Sequence, residues 1–187
     1  SEGALAFFLR RKEFGFHSFC VTIPFLVCMG LSCIEYWLEA FFWSDTKCWW
    51  PIVATGAFLM LVGEFIRIGS QIQAGVAFTH NIKVVHRKEH KLMSSGFYAF
   101  CAHPGYFGYF LWLIGTQIFL ANIGTFVSHS LITYWFFYAR IPFEETHLIQ
   151  FFGQEYVRYV QDVGRGPLFW GIPNNHLLQV EQIEEEP

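Results

Sequence analysis

Between Asn122 and Ala139 the chain carries no Asp, Glu, Lys or Arg, and the preceding run, Pro104 to Ala121, is equally uncharged. At the helical rise each run is about 25 Å long, just enough to cross the hydrocarbon of a bilayer. In lipid, backbone amides must find partners within their own segment, so such runs are restricted to helices. The short turn "NIG", Asn122 to Gly124, joins them, which predicts a tight antiparallel transmembrane hairpin over 104–139. Only 14% of all residues are charged, against about a quarter in soluble domains. The expected class is therefore an all-α, polytopic integral membrane protein.

Two further spans are expected upstream, from about Phe16 to Trp43, bent near Pro24, and from about Trp49 to Ile68. The basic residues set the orientation. Arg10, Arg11 and Lys12 precede the first span, Lys83, Arg87, Lys88 and Lys91 separate the second from the third, and Arg140 follows the fourth. These clusters share one side, which is predicted to be cytosolic, together with the C-terminus. The opening "SEGALAFFLRR" is expected to be the end of an earlier apolar helix, so further helices would precede it. From Glu144 to Val163 apolar and polar residues alternate with a 3.6-residue period, as in a helix lying in the membrane interface. The five cysteines include no CxxC and are read as small buried hydrophobes. With a net charge of −3 and no basic stripe, nothing points to nucleic acid.

Two constellations can carry chemistry. In "FYAFCAHPGYFGYFLW", Pro104 suits a helix's first turn, where its missing N–H costs nothing, and His103 sits at the entrance. Gly105 and Gly108 leave a bare face for a neighbouring helix or ligand, and the helix start favours an anionic group. The same residues also suit an ordinary helix start at an interface. In "RIPFEE", Arg140 and Glu144 are spaced i, i+4 and share a helical face. Arg offers a fork matched to a carboxylate, although a snorkelling Arg with an acidic neighbour has the same spacing. A short hairpin returns both constellations to one membrane face, which favours a site. His80, His86 and His90 lack Cys or carboxylate companions at ligand spacing, so a solvated loop near head groups is expected there and no metal site. Glu35 and Glu39 have no assigned role beyond a buried polar contact.

From Lys91 to Tyr159 these motifs, in order, resemble the isoprenylcysteine carboxyl methyltransferases of the endoplasmic reticulum membrane: "SSGFYAFCAHPGYFGYFLWLIGTQ", the asparagine turn, "RIPFEE" and "LIQFFGQEYVRY". "EYWLEA" at Glu35 and the stretch from Gly63 to His80 echo them more weakly. The resemblance implies methylation of the C-terminal carboxylate of a prenylated cysteine in CaaX-processed proteins such as small GTPases. S-adenosylmethionine would be the donor and S-adenosylhomocysteine the product. It further implies a multi-pass protein of the endoplasmic reticulum with a cytosolic-side cofactor pocket. That pocket would be formed by Lys83, His90, Lys91, Leu92, Met93, Tyr98, His103, Pro104, Gly105, Tyr106 and Glu144, while Arg140 would hold the substrate carboxylate, Arg140 and Glu144 being the catalytic pair. Residues 1–80 would form N-terminal spans and 81–187 the catalytic region, with hairpin 104–139 and interfacial helix 144–163. Ala102 stands where the family usually has arginine, and Ile123 where it usually has proline.

Two other readings fit the composition. A relative that methylates an amine head group would develop positive charge at the acceptor, which Arg140 would oppose. A non-catalytic scaffold or small transporter would sooner show repeated halves or polar, interrupted helices near the midplane.

Overall fold

In a computed structural model the uncharged runs fold as helices. The structure describes residues 23–47, 49–75, 92–169, 171–174 and 177, and every element among them is helical. In order these are α1 (Ile23–Phe42), the single turn α2 (Ser44–Lys47), α3 (Trp50–Ala74), a 3-10 turn (Gly96–Ala99), α4 (Pro104–Phe119), α5 (Ile123–Phe152) and α6 (Gln154–Val163). Among the described residues α3 alone is both long and apolar enough to qualify as a span by length and composition, with a mean hydropathy of 1.7. It runs six residues beyond the expected end at Ile68. Large apolar side chains nevertheless stand exposed along α1, α3 and α5, among them Trp37, Leu61 and Trp135, each more than 70% exposed. Surfaces of that kind are stable against an apolar solvent rather than water.

The chain divides into two compact units, Ser1–Ile68 with Gly108–Ile132 and Gly69–Phe107 with Thr133–Pro187. In the first unit α3 and α4 meet backbone to backbone through glycines seven residues apart on each helix. A Cβ built on Gly63 would lie 2.4 Å from the Trp112 nitrogen and 2.6 Å from the Gly108 carbonyl. One on Gly115 would lie 2.6 Å from the Met60 nitrogen, and one on Gly56 2.2 Å from that of Phe119. Small residues allow this approach, and in lipid close van der Waals packing is a main force holding helices together.

The turn after α4 is built differently from the expected "NIG". Ala121 takes the left-handed conformation at φ 51°, and Ile123 already begins α5. The Lys47 ammonium caps the turn. It donates to the Leu120 and Ala121 carbonyls, both at 2.9 Å, to Asn122 Oδ1 at 3.0 Å and to Glu39 Oε2 at 2.5 Å. Glu35 serves the other side, its carboxylate accepting from the Gly124 and Thr125 amides at 2.5 and 2.6 Å. The last carbonyls of α4 and the first amides of α5 would otherwise be orphaned, and each meets a side chain of the opposite polarity to the helix end. Of the two acidic residues left without a role, Glu35 thus caps the start of α5 and Glu39 pairs with the capping Lys47.

Lys47→Met is therefore expected to cost about 3 kcal/mol, the usual loss when one partner of a buried charged pair is removed. Thermal unfolding in detergent and lipid should show a clearly lowered midpoint; an unchanged midpoint would contradict the capping role.

The second difference concerns α5. The expected break at Arg140, with a separate helix over 144–163, is replaced by one helix from Ile123 to Phe152 that passes through Pro142. Proline removes one amide from the ladder, but no break occurs until Gly153, whose φ of 56° suits glycine, and α6 follows. Arg140, Glu144 and Glu145 consequently lie within a helix rather than at its end.

Candidate functional site

All the described candidate residues belong to the second unit. Gln73, near the end of α3, clamps the 3-10 turn: its Nε2 donates to the Ser95 carbonyl at 2.5 Å, and its Oε1 accepts from the Phe97 amide at 2.9 Å. The clamp fixes Tyr98, whose carbonyl accepts a bond of 2.7 Å from the Tyr159 hydroxyl of α6. Burial, followed by the charge of Glu144 and the neighbouring Cys101, pushes the Tyr98 hydroxyl up to about 12, so it remains a neutral phenol. Leu92 and Tyr98 pack against a core of Ala102, Ile149, Tyr156, Val157, Tyr159 and Val160. Ala102 is buried in that core, and its amide donates to the Gly164 carbonyl at 2.8 Å.

The entrance of α4 meets the middle of α5. His103 and Tyr106, one turn apart, stack with ring centroids 5.6 Å apart and planes at 11°. The Tyr106 hydroxyl donates to the Glu144 carboxylate, and the Arg140 guanidinium lies beside the same hydroxyl. Arg140 and Glu144 share a face of α5, as their spacing predicts, and Tyr106 bridges them. Arg140 also borders a small outward cavity with Trp135, Phe136, Ala139 and Phe143, four apolar residues around one cation. Pro104 is buried and Met93 and Gly105 are half-buried, and Gly105 leaves only ordinary contact distance, 3.4 Å, from a hypothetical Cβ to Ser70 Oγ. Lys83, His90 and Lys91 lie outside the described residues.

Glu145 has a different environment from its neighbour. It is fully buried and accepts from His103 Nε2 at 3.1 Å, from Arg165 Nε at 2.8 and 2.9 Å, and from Arg165 Nη2 at 2.7 Å. Burial alone would raise its carboxyl, but hydrogen bonds from His103 and Arg165, with the positive charge beside it, hold it down at about 2. An ionised carboxylate only accepts, so His103 Nε2 carries its proton. The sequence groups Glu145 with Arg140 and Glu144 but assigns it no role of its own, and Arg165, an arginine between glycines, is not singled out. Consecutive residues on a helix point about 100° apart, so Glu144 faces Tyr106 while Glu145 faces His103. Among the described residues no three His, Cys, Asp or Glu side chains group so as to hold a metal ion.

This arrangement provides one cation beside an apolar recess, one carboxylate held by a phenol, and a flat aromatic pair between buried walls. Comparisons with known proteins agree with the motifs. The family profile described as the isoprenylcysteine carboxyl methyltransferase (ICMT) family matches residues 55–150. A probable protein-S-isoprenylcysteine O-methyltransferase of Oryza sativa subsp. indica is 35% identical over 161 residues, covering 86% of this chain and 84% of that protein. Protein-S-isoprenylcysteine O-methyltransferase B of Arabidopsis thaliana is 37% identical over 152 residues, 81% and 77% of the two chains. The Mus musculus enzyme of the same name is 38% identical over 152 residues, which span only 54% of its length. A solved eukaryotic intramembrane Ras methyltransferase, ICMT, superposes with a TM-score of 0.86 at 31% identity, over 91% of this chain and 61% of that one. With its helical fold, its lipid-facing surfaces and its ordered motifs, the chain belongs to the isoprenylcysteine carboxyl methyltransferase family.

Proposed function

We propose that this membrane protein transfers a methyl group from S-adenosylmethionine to the C-terminal carboxylate of a prenylated cysteine, in CaaX-processed proteins such as small GTPases. The observation that carries the reading is the Arg140–Tyr106–Glu144 cluster beside an apolar recess. A prenylcysteine has one carboxylate and one long lipid tail. Arg140 presents a fork to the first, and Trp135, Phe136 and Phe143 offer an apolar surface to the second.

The residues present also fit the cofactor. Glu144 supplies negative charge for a positively charged ligand, while the His103–Tyr106 stack and neutral Tyr98 provide flat walls, with Pro104, Gly105, Leu92 and Met93 beside them. Lys83, His90 and Lys91 are proposed for the same pocket from the resemblance alone. When bound, the cofactor supplies an electrophilic methyl group on a sulfonium.

The acceptor carboxylate is already ionised, so no residue needs to remove a proton. Arg140 orients one carboxylate oxygen so that the other is presented along the line of transfer, and Tyr106 keeps Arg140 and Glu144 in register. The buried walls exclude water, which strengthens these interactions and prevents competing hydrolysis. We further assign residues 1–80 to the N-terminal spans and 81–187 to the catalytic region, with a transmembrane hairpin opening to a cytosolic pocket in the endoplasmic reticulum.

The test is methyl transfer from labelled S-adenosylmethionine to N-acetyl-S-farnesylcysteine in detergent with lipid. The acceptor's methyl ester and an amine analogue serve as controls. Base-labile product from the free acid alone is the expected outcome. Product from the amine would support the head-group reading, and binding without transfer to any acceptor would overturn the proposal.

A further inference from the structure

The charged network beneath the cluster has no part in the chemistry above. Arg165 lies in the loop after α6, where Gly164 at φ 69° and Gly166 at φ 127° turn the chain and send the guanidinium inward. It is 7% exposed and uses all its nitrogens: Nε and Nη2 grip Glu145, and Nη1 donates to the Ile172 carbonyl at 3.1 Å and Asn174 Oδ1 at 2.5 Å. Glu145 in turn fixes the His103 ring through Nε2. The His103 ring stacks on Tyr106, whose hydroxyl holds Glu144.

We propose that Glu145 and Arg165 are positioning residues for the cofactor site, a clamp from the C-terminal loop that sets the His103 plane and through it the Tyr106–Glu144 pair. The inference rests on the functional reading above, in that His103, Tyr106 and Glu144 are taken to face the cofactor. Arg165 acts on the groups proposed to face the cofactor through Glu145 and His103, whose geometry it sets. A ring held by a hydrogen bond at one edge and by a parallel neighbour across its face has little remaining freedom. Removing the acceptor at the edge releases it, and the stacked tyrosine loses its backing.

A buried carboxylate with a forked arginine that served only as scaffold would leave binding unchanged, and the experiment separates the two roles. Single substitutions leave an uncompensated buried charge and damage folding directly. The informative variant is the double replacement Glu145→Leu with Arg165→Met, since apolar groups of similar size often restore stability. It is compared with the parent and with Glu144→Gln by thermal unfolding and by titration with S-adenosylhomocysteine. The clamp predicts an unfolding midpoint near the parent's and a cofactor Kd weakened at least tenfold, with the KM for the prenylcysteine acceptor little changed. A parental Kd in the folded double variant would overturn it. Should the double variant not fold, His103→Phe decides: it leaves Glu145 and Arg165 paired and keeps a ring, but loses the edge hydrogen bond, and a parental Kd there would equally reject the clamp. If Glu144→Gln also bound like the parent, the failure would belong to the cofactor-site reading and not to the clamp alone.

Discussion

Replacement of Arg140 by alanine is expected to lower kcat/KM for the prenylated acceptor about a hundredfold, consistent with roughly 3 kcal/mol for a charged group that orients an ionised partner in a water-poor site. The loss should fall on the acceptor. Arg140 borders the apolar recess and lies beside the Tyr106 hydroxyl, whereas Glu144 accepts the hydrogen bond from that hydroxyl. The S-adenosylhomocysteine Kd of Arg140→Ala should therefore remain near the parent's, while that of Glu144→Ala should weaken. Arg140→Lys keeps the charge but loses the fork, so it should recover only part of the rate. Steady-state kinetics with varied acceptor, together with cofactor titration of both variants, check the assignment. Equal cofactor affinities in the parent, Arg140→Ala and Glu144→Ala would show the roles to be wrongly divided.

The second large effect is on assembly. Gly63→Val should yield no folded protein, because its Cβ would sit 2.4 Å from one backbone atom and 2.6 Å from another. Flexible side chains can yield to such a clash, but backbone atoms of a packed helix cannot, so α3 and α4 would have to separate. Overpacking a core costs about 1–3 kcal/mol and sometimes more, and here the whole contact is lost, against a total stability of about 5–15 kcal/mol. Gly30→Ala is the control. Gly30 is also helical but has nothing within 4 Å of its hypothetical Cβ, so alanine should be neutral or stabilise by up to about 1 kcal/mol. Monodisperse protein recovered in detergent distinguishes these outcomes, and a folded Gly63→Val would refute the close approach.

The legible part of this molecule was the part written in local patterns. Uncharged runs specified helices, and the i, i+4 spacing placed Arg140 and Glu144 on one face. The ordered motifs from Lys91 to Tyr159 specified the family. The sequence also flagged Gly105 and Gly108 as a bare face: Gly108 lies against the α3 backbone, and Gly105 stands at ordinary contact distance from Ser70 of α3. Gly63 lies against Gly108 and Gly56 against Gly115, so the small residues recur seven residues apart on each helix rather than three or four. What could not be read were pairings across long separations. Nothing local ties Glu35 to an amide ninety residues later, or Glu145 to an arginine in a glycine-flanked loop. The span was expected to end at Ala139, yet the helix continues through Pro142, because a single missing amide costs less than abandoning the contacts that Ile149, Glu144 and Glu145 make beyond it.

The glycine contact between α3 and α4 bears on where lipid can pass between helices. Where two helices touch through their peptide planes, no seam remains for an isoprenoid to slip through, and opening one would strip both helices of their packing. Among the described residues the recess of Trp135, Phe136, Ala139 and Phe143 beside Arg140 is an open apolar surface of another kind, lined by side chains rather than sealed by backbone.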